Sequence, residues 1–159
     1  MSSFANRLRI AVVMLLVALI VPAIALASST STTKEKSLYL RLGGKKGVTA
    51  VVNDFVTRVS SDTRVSTFFA ATTSDPARLA KFKQHFFEKI CQAAGGPCKY
   101  TGKDMKSAHS GMKITSDNFN AVVEDLTAAL DKFKVGVDEK NQLLGVLSPM
   151  KADIASTEE

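Results

Sequence analysis

The chain has no tryptophan, and its 159 residues include only two tyrosines, two cysteines, two histidines and four prolines. Two cysteines are too few for a disulfide scaffold, so the fold must rest on a packed core. Two histidines exclude a zinc site built mainly from imidazole. Basic residues form no cluster beyond Lys45-Lys46, and few aromatics stand between them. A nucleic-acid surface, which needs both, is therefore poorly supported despite the net charge of +6. What is present is an ordinary globular composition, 45% hydrophobic and 23% charged. That excludes wholesale disorder and collagen-like structure, and the length suits one domain.

The first 27 residues read as an address. Arg7 and Arg9 precede the apolar run Ile10 to Val21, Pro22 ends it, and Ala25-Leu26-Ala27 offers an A-x-A cleavage site. This is the layout of a secretory signal peptide over residues 1–27, cut after Ala27. The alternative is an uncleaved anchor. A spanning helix needs about 20 apolar residues, and this stretch reaches that only by running through Pro22. No cysteine follows Ala27 to carry a lipid. Cleavage removes two basic and no acidic residues, leaving 19 basic against 15 acidic, a net +4. The expected location is periplasmic or secreted, with membrane contact only through an uncleaved segment and no nucleic-acid partner. In that oxidising setting Cys91 and Cys98, with Gly95-Gly96 between them, are expected to form a disulfide contributing about 2–3 kcal/mol on a chain-entropy argument. Two partly buried free thiols are the alternative.

Residues 28–36 are polar and Ser/Thr-rich, a flexible leader. Ser37 to Leu42 reads as one or two helical turns stopped by Gly43-Gly44. Val48, Val51, Val52, Phe55, Val56 and Val59 recur at helical spacing, not in strand alternation. Phe68 and Phe69 sit in a short apolar turn, and Ala71 to Pro76 is expected to be a loop. Leu79, Phe82, Phe86, Phe87, Ile90 and Cys91 form a second helical stripe, ended by Gly95-Gly96-Pro97. Lys103 to Ser110 reads as a short helix. Thr115 is a candidate N-cap for a long helix to about Phe133. A last helix is expected over Asp138 to Ile154, kinked or shortened by Pro149. The chain is all-α.

Three stretches resemble the truncated haemoglobins, group 1 in particular. They are Ser37-Leu38-Tyr39-Leu40-Arg41-Leu42-Gly43-Gly44 with Val51-Val52-Asn53-Asp54-Phe55; Phe68-Phe69; and Gly95-Gly96-Pro97 followed by Tyr100-Thr101-Gly102, Met105-Lys106, Ala108-His109, Gly111, Ile114-Thr115 and Phe119. The resemblance covers residues 37–154, leaving a tail at 155–159. It implies a two-over-two helical sandwich around haem b. The family's proximal iron ligand falls on His109, and imidazole is the usual axial donor in globins. Met105 lies one turn before His109 on the same helical face. Phe69 matches the phenylalanine that packs on the haem, and Tyr100 and Met105 match its edge. Lys81, Lys103 and Lys106 are candidates for the propionates.

The distal side departs from the pattern. Many group 1 members carry a tyrosine where this chain has Val56, and a glutamine helps it. Counting back from Gly95-Gly96 without a gap puts Phe82, His85 and Phe86 on the distal helix, with Phe86 at the glutamine position. An insertion after Phe87 would instead put Lys83 there. The first register implies an apolar distal pocket lacking the donor that steadies oxygen, and each such bond matters by about 1 kcal/mol. His85 has three readings: a sixth iron ligand, a propionate or solvent contact, or a distal donor. The resemblance thus implies a haem protein that reversibly binds a diatomic gas, oxygen or nitric oxide. A redox enzyme (nitric-oxide dioxygenase or peroxidase-like) or a bis-His electron-transfer protein is the alternative. Either would need a redox partner, because the chain has no flavin or nicotinamide motif.

Overall fold

The computed structural model describes residues 35–155. The signal segment, most of the leader and the last four residues lie outside that range. Among the described residues there is no strand, and no helix is long and apolar enough to cross a membrane. The elements are α1 (Leu38–Arg41), α2 (Gly44–Ser61), α3 (Ser66–Thr73), α4 (Pro76–Ala93), α5 (Met105–His109), α6 (Ser116–Lys132), α7 (Val137–Leu147), a 3-10 turn (Ser148–Met150) and α8 (Lys151–Ile154).

α2 is the hub. Its apolar stripe Val48, Val51, Val52, Phe55, Val56 and Val59 is wholly buried. It packs against α1, α3, α4 and α6. The facing helices supply Ile90 and Cys91 from α4, Ala121, Leu126, Ala129 and Leu130 from α6, and Leu143 from α7. β-Branched residues carry no prohibitive penalty in such a helix, because tertiary burial outweighs a few tenths of a kcal/mol of propensity each. No polar or charged residue is fully buried among those described. Charges stitch the edges instead. Asp54 of α2 accepts from Arg58 at 2.7 Å and from Lys132 of α6. Arg64 joins Asp62 to Glu124.

One expectation changes. Ala71 to Pro76 is not a loop: α3 runs to Thr73, α4 starts at Pro76, and only Ser74 and Asp75 connect them. The Thr73 hydroxyl bonds back to the Phe69 carbonyl at 3.1 Å within the last turn of α3. The Asp75 carboxylate accepts the N–H groups of Ala77 and Arg78, capping α4 with Pro76 in its first turn. The last helix is shortened as expected: α7 ends at Leu147, and a 3-10 turn carries the chain past Pro149, which has no N–H to donate. Thr115 caps α6 with Asn118 in a reciprocal capping box.

Cys91 and Cys98 are joined by a disulfide with Cα atoms 5.7 Å apart. It ties the end of α4 to the connection leading to α5. Gly96 is required there: a Cβ would lie 2.6 Å from Cys91 Sγ and 2.7 Å from the Tyr39 ring.

Leu143 is completely buried against this core. Leu143→Ala should lower unfolding stability by about 2–5 kcal/mol, read by urea denaturation; a loss below about 1 kcal/mol would mean the core relaxes around the cavity.

Candidate functional site

α5 has five residues, too few to persist on its own hydrogen bonds. Its ends are fixed from outside. The Asp104 carboxylate accepts the Ser107 N–H at 2.8 Å, and the helix packs against α8. Gly111, at φ +78°, turns the chain away just after it. Within it, His109 Nδ1 lies 2.8 Å from the Met105 carbonyl oxygen. A carbonyl can only accept, so Nδ1 carries the proton and Nε2 keeps its lone pair. That is the donor chemistry an axial imidazole requires.

Aromatic rings from three other helices form a connected series. Phe55 of α2 lies 4.5 Å from Phe86 of α4, centroid to centroid. Phe86 stacks with Phe82 at 6.0 Å, and Phe82 meets Phe69 of α3 edge-on at 5.7 Å. Val56 is buried beside Phe55. Phe55 is fully enclosed, whereas Phe69, Phe82, Phe86 and Met105 are half-buried. Apolar rings of this kind, together with an imidazole that donates from Nδ1, suit a flat apolar macrocycle with iron at its centre. Lys81, Lys103 and Lys106 are exposed and in no ion pair among the described residues, so they are available to carboxylates.

Tyr100 and His85 occupy the flank. The edge of the His85 ring meets the Tyr100 ring at 5.9 Å, and the Lys89 ammonium sits 3.8 Å from the Tyr100 centroid. The Tyr100 hydroxyl donates to the Lys103 carbonyl at 2.8 Å. Burial pushes its pKa up, with Glu88 and Asp104 adding to the effect. α4 runs unbroken from Pro76 to Ala93, so Phe82, His85 and Phe86 share one helix, and Lys83 is half-buried on it.

The sequence reading missed the residues that hold this flank together. Glu88 accepts the Thr101 N–H at 3.0 Å and its hydroxyl at 2.7 Å, and also the Gln84 amide. Gln92 accepts the Tyr100 N–H at 2.6 Å. Polar side chains one turn apart on α4 were the only signal, and such pairs are common on solvated faces. Asp104 was legible as a cap from Asp-x-x-Ser and was overlooked in favour of a start at Lys103.

The all-helical packing, an imidazole that donates from Nδ1 and the series of phenylalanine rings fit a haem globin of the two-over-two class. A family model described as bacterial-like globin matches residues 37–156. A group 1 truncated hemoglobin of Mycolicibacterium paratuberculosis is 36% identical, the match spanning 77% of this chain and 86% of that protein. One from Tetrahymena pyriformis is 32% identical over 76% of this chain and 96% of its own length. The crystal structure of truncated hemoglobin from T. pyriformis in its Fe(III) form has TM-score 0.69 and 28% identity, covering 77% of this chain and all of the other. The 2/2 hemoglobin from Synechococcus, solved in the cyanomet state with covalently attached heme, has TM-score 0.68 and 30% identity over 75% of this chain and 98% of its own. The chain belongs to the bacterial-like globins, among the group 1 truncated haemoglobins. It is a haem-binding globin that binds a diatomic ligand at the haem iron.

Hydrogen bonds from Gln84, then Thr101, hold the Glu88 carboxyl below its usual range, with His85 adding a smaller effect. A carboxylate with a lowered folded pKa stabilises above its unfolded pKa, and that contribution fades as pH falls through the folded value. The link between α4 and the loop should therefore weaken below about pH 4.5. Glu88→Gln should flatten the fall in Tm between about pH 5 and pH 3. A variant whose Tm tracks the parent across that range would mean the carboxylate contributes nothing.

Proposed function

We propose that the chain is an exported globin whose iron is held by His109 Nε2, and whose distal side favours nitric oxide or carbon monoxide over oxygen. The observation that carries this is the ring series Phe55, Phe86, Phe82 and Phe69 with Val56 buried beside it. None of these side chains has a hydrogen-bond donor. Haem b supplies an iron with an open coordination position for a small neutral ligand. The Met105 carbonyl holds the His109 proton on Nδ1 and so orients Nε2. The phenylalanines exclude water and offer dispersion contact alone. A ligand that develops negative charge on binding, as oxygen does, gains nothing from them; nitric oxide and carbon monoxide need less help.

His85 is proposed as a polar group at the haem edge, not a sixth ligand. Its contact with Tyr100 and its place beside Glu88 support that reading. The unbroken α4 supports the register that puts Phe86, not Lys83, at the distal position. The segment 1–27 is proposed as a cleaved signal peptide, with 28–36 as leader, 37–154 as the globin domain and 155–159 as tail. A periplasmic or secreted location is supported by the Cys91–Cys98 disulfide, a bond that persists in oxidising compartments. Catalysis on the bound gas would require an electron donor from outside the chain.

Absorption spectra of haem-loaded protein test the ligand assignments. His109→Ala should lose stoichiometric haem or the proximal signature, and His85→Ala should leave a five-coordinate ferrous spectrum unchanged. A six-coordinate parent converted to five-coordinate by His85→Ala would reverse the second assignment.

Val56→Tyr restores a distal hydroxyl. It should raise oxygen affinity about five- to tenfold and slow autoxidation, with Phe86→Gln as a second donor variant. Unchanged oxygen affinity in both folded variants would sink the apolar-pocket reading.

A further inference from the structure

A groove of about 510 Å³ lies between the start of α2 and the corner joining α6 to α7. No residue of α3, α4, α5 or α8 lines it, so it is separate from the Phe69, Phe82 and Phe86 rings and from His109. Arg41, Lys46 and Lys134 line it and no carboxylate does; Phe133 forms part of its wall. The ammonium groups of Lys45, Lys46 and Lys134 make no ion pair or hydrogen bond among the described residues. The uncapped start of α2 carries Lys45 and Lys46 in its first turn, with no acidic residue there.

Exposed apolar side chains gather at the same end. Phe133 is 42% exposed, Leu40, which precedes Arg41, is 57% exposed, and Val137, which follows Gly136 of the groove, is 66% exposed. They account for three of the four large hydrophobic residues exposed on the described surface. Nearby acidic groups are spent on local cations, Asp131 on Lys140, Asp54 on Lys132, and Glu35 and Glu139 on Arg41. Lys45, Lys46 and Lys134 are left over. The chain also enters the domain at this end: Glu35 pairs at 3.0 Å with Arg41, which lines the groove.

We propose that this end of the globin docks on an anionic lipid bilayer, with headgroup phosphates between Lys46 and Lys134 and the side chains of Leu40, Phe133 and Val137 in the interface. Free lysines beside aromatic and aliphatic side chains are the chemistry of interfacial binding, apolar area giving depth and lysine giving preference for negative headgroups. The unpaired Lys46 and Lys134 in the groove favour this occupant over a second copy of the chain, whose own net charge of +6, or +4 without residues 1–27, would repel it. A lipophilic gas concentrates in the bilayer, so docking would put the haem protein beside its supply.

The test uses haem-loaded Ser28–Glu159, which lacks the apolar N-terminal run. The matched T. pyriformis chain is covered completely by this domain, so the domain stands as a whole folded protein there. Co-sedimentation is measured with phosphatidylcholine vesicles, alone or with about 30% phosphatidylglycerol. Binding should favour the anionic vesicles at least tenfold and fall away in about 0.5 M NaCl. Lys46→Glu with Lys134→Glu should reduce it at least tenfold, at about fivefold or more per lysine. Phe133→Ser should reduce it severalfold. Lys99→Glu with Lys113→Glu makes the same charge change elsewhere and should have little effect. Unchanged Soret and circular dichroism spectra certify each variant as folded. Four results would overturn the proposal: no binding or equal binding to both vesicles; the same loss from the Lys99/Lys113 variant; soluble polyglutamate captured as tightly as vesicles, which would indicate an acidic protein partner; or a dimer dissociated by Phe133→Ser, which would indicate a second copy.

Discussion

A helix of five residues cannot hold a side chain in place by its own backbone bonds. The setting of His109 follows from how α5 is held instead. The Asp104 cap fixes its start, the Met105 carbonyl fixes the His109 tautomer, and α8 packs along it. The connection before it is fastened to α4 three times: by the Cys91–Cys98 bond, by Gln92 to the Tyr100 N–H, and by Glu88 to Thr101. One helix thus carries Phe82 and Phe86 and, through these ties, anchors the connection that leads to His109.

The distal side shows how little chemistry a globin needs to add to its cofactor. Phe55, Phe82, Phe86 and Phe69 form a continuous series of ring contacts across α2, α4 and α3. Such contacts add rigidity beyond area burial, about 0.5–1.5 kcal/mol per pair. A rigid wall of hydrocarbon discriminates by withholding: it gives no hydrogen bond to a ligand that wants one. The polar groups His85 and Tyr100 are engaged with each other, Lys89 and the Lys103 carbonyl on the flank.

The two ends of the domain are built on opposite rules. Around α5, polar side chains are spent on backbone groups, which fixes a loop. At the α1, α2 and α6–α7 end, Lys46 and Lys134 make no ion pair among the described residues, and Leu40, Phe133 and Val137 are exposed. The hub helix α2 joins the ends, contributing Phe55 to the ring series and Lys46 to the basic groove.

Periodicity was enough to place the helices, because a buried stripe such as Val48 to Val59 or Leu79 to Cys91 leaves its spacing in the sequence whatever it packs against. Family-like motifs were enough to single out His109, since an axial donor needs one imidazole in one local setting. Local capping chemistry decided what periodicity could not: Asp75 with Pro76 turned an expected loop into two abutting helices, and Pro149 divided an expected single one. Which way His85 faces, that Glu88 and Gln92 reach across to Thr101 and Tyr100, and that Lys46 meets Lys134 along one groove were decided only by the tertiary structure. The physical reason is range. Helical stripes and caps are interactions over three or four residues and are written in the chain. These contacts join residues up to 88 positions apart and exist only once the helices have packed.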